Sequence, residues 1–265
     1  MITCGIDVGS LTAEAVILRN QGLLAYSLIP TGPDSAATAR EALEEALQKI
    51  RIRPQEIELT VATGYGRVVV PFAQKNISEI SCHARGAHYF FPGARTVLDM
   101  GGQDCKVIRC DEKGKVTNFM MNDKCAAGTG RSLEVMAGLL QIRLEDIGPL
   151  SLRNPGPPLK ISNTCVVFAK TEVLALARQG VPLSQILGGI CDGVAEQVKT
   201  LVRRVGLEEE FMISGGISKN IGVVKRLEQK LGVKSHICFE PQIVGAVGAA
   251  LFAMDFLQKA PSGPV

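Results

Sequence analysis

The chain has no tryptophan, only 5% aromatic residues and three histidines. With so few aromatics to stack on bases, a single-stranded nucleic-acid platform is not expected. The formal net charge is only +3 and is scattered along 265 residues, so no basic footprint for nucleic acid exists either. No apolar run is read as reaching the ~18 residues of a membrane span. The opening "MITCGIDVGS" lacks a basic region followed by a long apolar one, so no signal peptide and a cytoplasmic location are expected. Eight cysteines are present, yet there is no CxxC pair and no Cys/His cluster at zinc spacing. In a reducing compartment disulfides are not expected. Cys4, Cys105, Cys110 and Cys238 lie in apolar, strand-like contexts and read as buried, inert thiols.

What is present is an ordinary globular composition, 46% hydrophobic, long enough for one large domain or two modest ones. Strands are read over "ITCGID", "AEAVILR" and "GLLAYSLI", the last two joined at the hairpin signal "NQG". A helix is expected over 34–50, capped by Asp34 or Ser35. "IELTVAT" is a strand ending at "GYGR", and 78–90 a helix stopped before Pro92. The opening pattern then returns. "LDMGGQDCKVIR" lies on "IDVGSLTAEAVILR" at a constant offset, pairing Asp7 with Asp99, Gly9 with Gly101 and Ser10 with Gly102. A third strand follows each copy, so the chain reads as a duplicated three-strand unit. Further on come helices over 129–140, 165–179 and 183–205, and a loop "GPLSLRNPGPP". A short strand "LKIS", a strand "EFMISGG" and a helix over 218–231 follow. "QIVGAVGAALFAMDFL" closes the chain as an apolar helix. Its small residues, Gly245 among them, permit close approach to a neighbour or ligand.

Two Asp-x-Gly hairpins are either plain turns that need glycine or halves of a polyphosphate clamp. Glycines let backbone N–H groups converge on an anion. Two copies, together with "AAGTG" (through Gly128, Thr129 and Gly130) and "SGG" (through Gly215 and Gly216), favour the clamp. Asp7 and Asp99 would then hold Mg²⁺ through waters.

These segments carry a resemblance. "GIDVGS", "DMGGQD" and "ISGGISKN" resemble the phosphate and adenosine segments of the actin, sugar-kinase and heat-shock-chaperone ATPase superfamily. "ATGYGR", "SEISCHARGA", "MNDKCAAGTGRSLEVMA" and "SNTCVVFAKTEV" narrow the likeness. They resemble the ATP-dependent activators of 2-hydroxyacyl-CoA dehydratases and the ATPase subunits of benzoyl-CoA reductase, over nearly the whole chain. The resemblance implies a duplicated α/β fold of two lobes with ATP in the cleft. Lobe I would be 1–94 plus the helix 241–258, and lobe II 95–240. It implies an ATPase coupled to low-potential electron transfer, working as a homodimer around one shared [4Fe–4S] cluster held by Cys125 and Cys165 of each chain. The implied partners are a dehydratase or benzoyl-CoA reductase-type component, with ferredoxin or flavodoxin as donor. Gln103 or Asp104 would orient the attacking water. Lys106, Asn220, Gln242 and Gly245 complete the expected nucleotide contacts.

From spacing alone, Cys125 and Cys165 are equally well small buried residues. Both stand where a helix begins, however, and a helix N-terminus favours a thiolate. One departure stands out. Many superfamily members have Lys near the end of the first phosphate segment, where this chain has Glu14; Lys106 holds the equivalent place in the second copy. His83 and His88, five apart on a helix, read as ordinary polar residues. Two other functions compete: a small-molecule kinase with Asp104 as base, and a nucleotide-gated interaction module with structural thiols.

Overall fold

The computed structural model describes residues 1–123, 128–153 and 156–259. The chain divides into two compact units. Unit 1 comprises Met1–Ala94, Cys110–Thr117 and Cys238–Val265; unit 2 comprises Arg95–Arg109 and Asn118–Ile237.

Unit 1 is built on a five-stranded sheet of order β3-β2-β1-β4-β5. Its strands are β1 (Ile2–Val8), β2 (Thr12–Arg19), β3 (Gly22–Pro30), β4 (Leu59–Thr63) and β5 (Lys75–Asn76). β1 pairs antiparallel with β2 and parallel with β4. Side chains alternate between faces of a strand, and both faces here are covered. Cys4, Ile6 and Val8 pack with Ala39, Ala42, Leu43 and Ala46 of α1 (Ser35–Ile50). Val16 and Leu18 pack with Ala246, Val247 and Ala250 of α8 (Val244–Lys259). α1 starts where the sequence indicated: Asp34 Oδ1 accepts from Ala36 N–H at 2.9 Å and Ala37 N–H at 3.1 Å. α2 (Glu79–Phe90) lies beside α8.

α8 corrects one reading. The helical stretch Pro241–Lys259 is long and apolar enough to cross a membrane by length and composition. Its apolar surface is nevertheless consumed internally, against β1, β2, β4 and α2. The approach is very close at Gly5, where a Cβ would fall on the Ala246 carbonyl and the Ala250 nitrogen. That is why a small-residue helix sits there.

Unit 2 repeats the plan. Its sheet has the order β8-β7-β6-β9-β10, with β6 (Thr96–Met100), β7 (Cys105–Cys110), β8 (Val116–Asn122), β9 (Phe211–Ser214) and β10 (Ser235–His236). β6 pairs antiparallel with β7 and parallel with β9. The match to unit 1 is residue for residue: Asp7 faces Glu14 across β1/β2, and Asp99 faces Lys106 across β6/β7. The duplication read from the sequence therefore extends from three strands to all five. The core joins Leu98, Met100 and Val107 to Leu133, Ile186, Leu187, Ile213 and Leu227. Each such side chain contributes roughly 1.5–3 kcal/mol by leaving water. The helices are α3 (Gly130–Leu140), α4 (Leu144–Ser151), α5 (Val166–Arg178), α6 (Leu183–Val205) and α7 (Ile221–Leu231).

Three sequence expectations fail in unit 2. "GPLS" is not loop but the end of α4, which continues through Pro149. "LKIS" is not a strand: the Ser162 N–H donates to the Glu172 carboxylate at 2.7 Å and not to a neighbouring strand. The helix expected over 218–231 is split into a 3₁₀ turn (Gly216–Lys219) and α7, because the Asn220 side chain caps the second piece.

Candidate nucleotide and thiol sites

In unit 1 the first Asp-x-Gly hairpin closes through Gly9 N–H to Thr12 O at 2.9 Å. Asp7 is the penultimate residue of β1, just before the turn, and is 7% exposed. Its carboxylate lies in a niche walled by glycines: a Cβ at Gly64 or Gly245 would overlap it. Gly64 has φ +83°, a left-handed conformation that favours glycine. His83 Nε2 stands 3.9 Å from Asp7 Oδ2. Ser10 is half-buried on the turn. Gln242 donates from Nε2 to Thr12 Oγ1 at 3.4 Å, which brings it to the same hairpin.

In unit 2 the equivalent turn closes through Gly101 N–H to Asp104 O at 3.0 Å. Ser214 Oγ donates to Asp99 Oδ1 at 3.1 Å, and Gly215 follows at φ +81° as Gly64 follows Thr63. A Cβ on Gly215 would press on the Met100 carbonyl and Asp99 Oδ1. Lys106, 4% exposed, reaches Asp104 Oδ1 at 2.7 Å and Asp99 Oδ2 at 3.4 Å. Gln103 is exposed at the tip of the turn. Gly216 opens the 3₁₀ turn, and Asn220 Oδ1 accepts from Gly222 N–H and Val223 N–H at 3.0 and 3.1 Å.

The second hairpin is bonded directly to α3. Gly130 N–H donates to Gly101 O at 3.0 Å and Arg131 N–H to Gly102 O at 2.8 Å. Two N–H groups at the start of α3 are therefore engaged by the second hairpin. Gly128, at φ +87°, accepts from Cys105 Sγ at 3.1 Å through its carbonyl, and buried Thr129 takes the N-cap place of α3.

Cys125 lies outside the described residues. Cys165 is the N-cap of α5, and its carbonyl accepts from Ala169 N–H at 3.1 Å. Among the described cysteines it alone is half-buried, the others being buried. Burial pushes the Cys4 and Cys82 thiols up to about 12 and those of Cys191 and Cys238 up to about 11. Cys105 is raised as well, by burial first and by the Asp99 carboxylate second. Burial thus keeps these thiols in the protonated form near neutrality. Cys165 is the described thiol with access and a helix start behind it. α5 is lightly anchored: only Ala169 and Val173 of its 13 residues are buried, while Val167 and Phe168 face solvent.

The sequence reading missed Thr63, Gly64 and Ser214. The signal was there: "ATG" ending β4 and "ISG" ending β9 are the same hydroxyl-glycine pair on repeat-equivalent strands.

Two like-folded units, each ending its central strand in Asp-x-Gly, define the duplicated α/β fold of the actin, sugar-kinase and heat-shock ATPases. Comparison with known proteins narrows this. The model of the BadF/BadG/BcrA/BcrD ATPase family matches residues 4–253, and the chain belongs to that family. It is 44% identical over 260 residues to the activator of lactoyl-CoA dehydratase from Anaerotignum propionicum, covering 98% of this chain and 100% of that protein. It superposes on the activator of the 2-hydroxyisocaproyl-CoA dehydratase from Clostridium difficile, solved with bound ADPNP, with a TM-score of 0.95. The identity there is 37%, and 100% of this chain and 98% of that one are covered. The Acidaminococcus fermentans (R)-2-hydroxyglutaryl-CoA dehydratase component A gives a TM-score of 0.94 at 40% identity, covering 98% of this chain and 100% of that one.

Proposed function

We propose that this protein is an ATP-hydrolysing, one-electron donor that activates a 2-hydroxyacyl-CoA dehydratase or a benzoyl-CoA reductase-type component. The observation that carries this is the accessible thiol of Cys165 at the start of α5, in a chain aligned end to end with dehydratase activators. A cubane iron–sulfur cluster takes four thiolates. Cys165 has the chemistry of a ligand, and Cys125 is the second we assign, so a homodimer completes the set. When bound, the cluster supplies low-potential, one-electron chemistry.

The nucleotide is assigned to the duplicated hairpins. Gly9, Ser10, Gly101 and Gly102, with Gly128, Thr129 and Gly130, meet the phosphates. Asp7 and Asp99 take the accompanying Mg²⁺, and Lys106 offsets phosphate charge. Gly215, Gly216, Asn220, Gln242 and Gly245 serve the rest of the nucleotide. Exposed Gln103 is better placed than Asp104 to orient the attacking water, because Asp104 is engaged by Lys106. The same ion pair disfavours a kinase, which would need Asp104 as a free base. Hydrolysis alters the hairpin at Gly101–Gly102, and the bonds from Gly130 and Arg131 to those carbonyls carry the change into α3. Ferredoxin or flavodoxin in a reducing cytoplasm is the electron source we assign.

Anaerobic purification followed by iron and acid-labile sulfide analysis tests this reading. About four irons per dimer are expected. Cys165→Ala is expected to lose the colour and the ATP-dependent activation of an added dehydratase. A colourless wild-type protein that still activates the dehydratase overturns the reading.

A further inference from the structure

Unit 2 holds a cleft that the two hairpins do not account for. It has a volume of about 410 Å³ and lies between the outer strand β8 and the second half of α6. Small-molecule sites usually enclose roughly 300–1,000 Å³. Of the residues assigned to ATP above, only Gly128 touches this cleft. Its apolar lining includes Met120 of β8 with Val198 and Leu201 of α6, and its polar lining includes Asn163, Gln197 and Arg204.

One of these polar groups is left wanting a partner. Gln197 Oε1 is buried without a hydrogen bond among the described residues, which is costly for a carbonyl oxygen. The amide lies against Gly128, where a Cβ would come within 3.0 Å of that oxygen. A half-turn about the soft terminal torsion exchanges the oxygen with the nitrogen, so the cleft can be offered either. Arg204 is exposed near the end of the same helix. The two stand seven residues apart, two turns and roughly 10.5 Å along one face of α6.

This set suits a flat base joined to an anion. A carboxamide pairs bidentately with the N6 amine and N7 of adenine. Thioether and aliphatic side chains pack on the face of a ring, and a guanidinium forks onto a phosphate. The spacing of Gln197 and Arg204 is comparable with that from base to 5′-phosphate. We infer that the cleft between β8 and α6 binds a purine nucleotide of the adenylate type, separate from ATP at the hairpins. Gln197 and Asn163 read the base, Met120, Val198 and Leu201 support its face, and Arg204 holds the phosphate. Free AMP and the adenosine end of coenzyme A share this chemistry. The inference goes beyond the ATP reading and does not depend on it.

The test uses the full chain, saturated with ADPNP and Mg²⁺ and then dialysed to equilibrium against radiolabelled AMP or, separately, coenzyme A. One molecule of AMP, of coenzyme A or of each in turn is expected to be held per chain while ADPNP stays bound. Arg204→Leu changes an exposed side chain and leaves the core untouched, and it should weaken that binding at least about tenfold. Gln197→Leu should erase a preference for AMP over inosine monophosphate, which lacks the N6 amine. If Gln197→Leu does not fold, Arg204→Leu decides. Retention of neither ligand by the ADPNP-saturated wild type overturns the proposal, as does an affinity in Arg204→Leu within about twofold of wild type. ADPNP binding is measured first, so a failure of the ATP reading shows there and separately.

Discussion

Replacing Lys106 by methionine tests how the second hairpin is held. The ammonium is 5% exposed and lies 2.7 Å from Asp104 and 3.4 Å from Asp99, whose own carboxylate is 4% exposed. Methionine keeps most of the volume and removes the charge. Asp99 then retains the Ser214 hydroxyl but loses its nearest described cation. Breaking a buried pair from one side typically costs about 3–5 kcal/mol, because the orphaned charge stays in low dielectric. For a unit of this size, each kcal/mol moves the melting point by roughly 2–4 °C. Scanning calorimetry of Lys106→Met should therefore show unit 2 melting about 6–20 °C earlier. Asp99→Asn added to Lys106→Met should restore part of the loss, since the uncompensated charge is gone. The expected coupling between the two sites exceeds about 1 kcal/mol. A single variant melting within about 2 °C of wild type, or strictly additive losses, would refute the claim that Lys106 neutralises Asp99 internally.

Two further outcomes follow from the same geometry. Gly5→Ala places a methyl group on the backbone of α8 at Ala246 and Ala250, so unit 1 should lose about 3 kcal/mol, the upper end for overpacking. An unchanged urea midpoint for that variant contradicts the close approach. Iodoacetamide at pH 8 should label Cys165 quickly in the cluster-free chain and spare Cys4, Cys82, Cys191 and Cys238. With thiols raised to about 11–12, only about one in a thousand or fewer is thiolate at that pH. Because their folded values lie above the ordinary 9.0, their contribution to stability is complete below pH 9 and is lost as pH climbs through 11–12. Mass spectrometry of tryptic peptides and an alkaline melting series read both effects.

Much of this was legible in the amino-acid order. Asp34 announced α1 because a short acceptor before an apolar helical pattern satisfies the first N–H groups. The repeat exposed the paired sheets, because an Asp at a strand end before a glycine turn is rare enough to be recognised twice. Pro149 misled because its local cost was overridden from outside. Ile147 is fully buried, and Ser151 accepts from Arg226, so tertiary contacts hold α4 together through the proline. Asn220 was assigned only to the nucleotide. Capping of α7 depends on where the chain turns after Gly215, which propensity alone does not dictate. The alignment of Thr63, Asp7 and Glu14 was invisible because it joins three strands by register, and register is a property of pairing and not of any one segment.

α5 is the least welded of the long helices. Only Ala169 and Val173 of it are buried, with Val166 and Leu176 packed partly against the core, whereas α6 alone commits a dozen residues to it. A segment so lightly attached yields under modest force without disturbing the sheet behind it. The protein thus keeps its rigidity where charge is neutralised and its compliance where sulfur is presented. A small rearrangement inside unit 2 can then show up as a change in what the surface around residue 165 offers to another molecule.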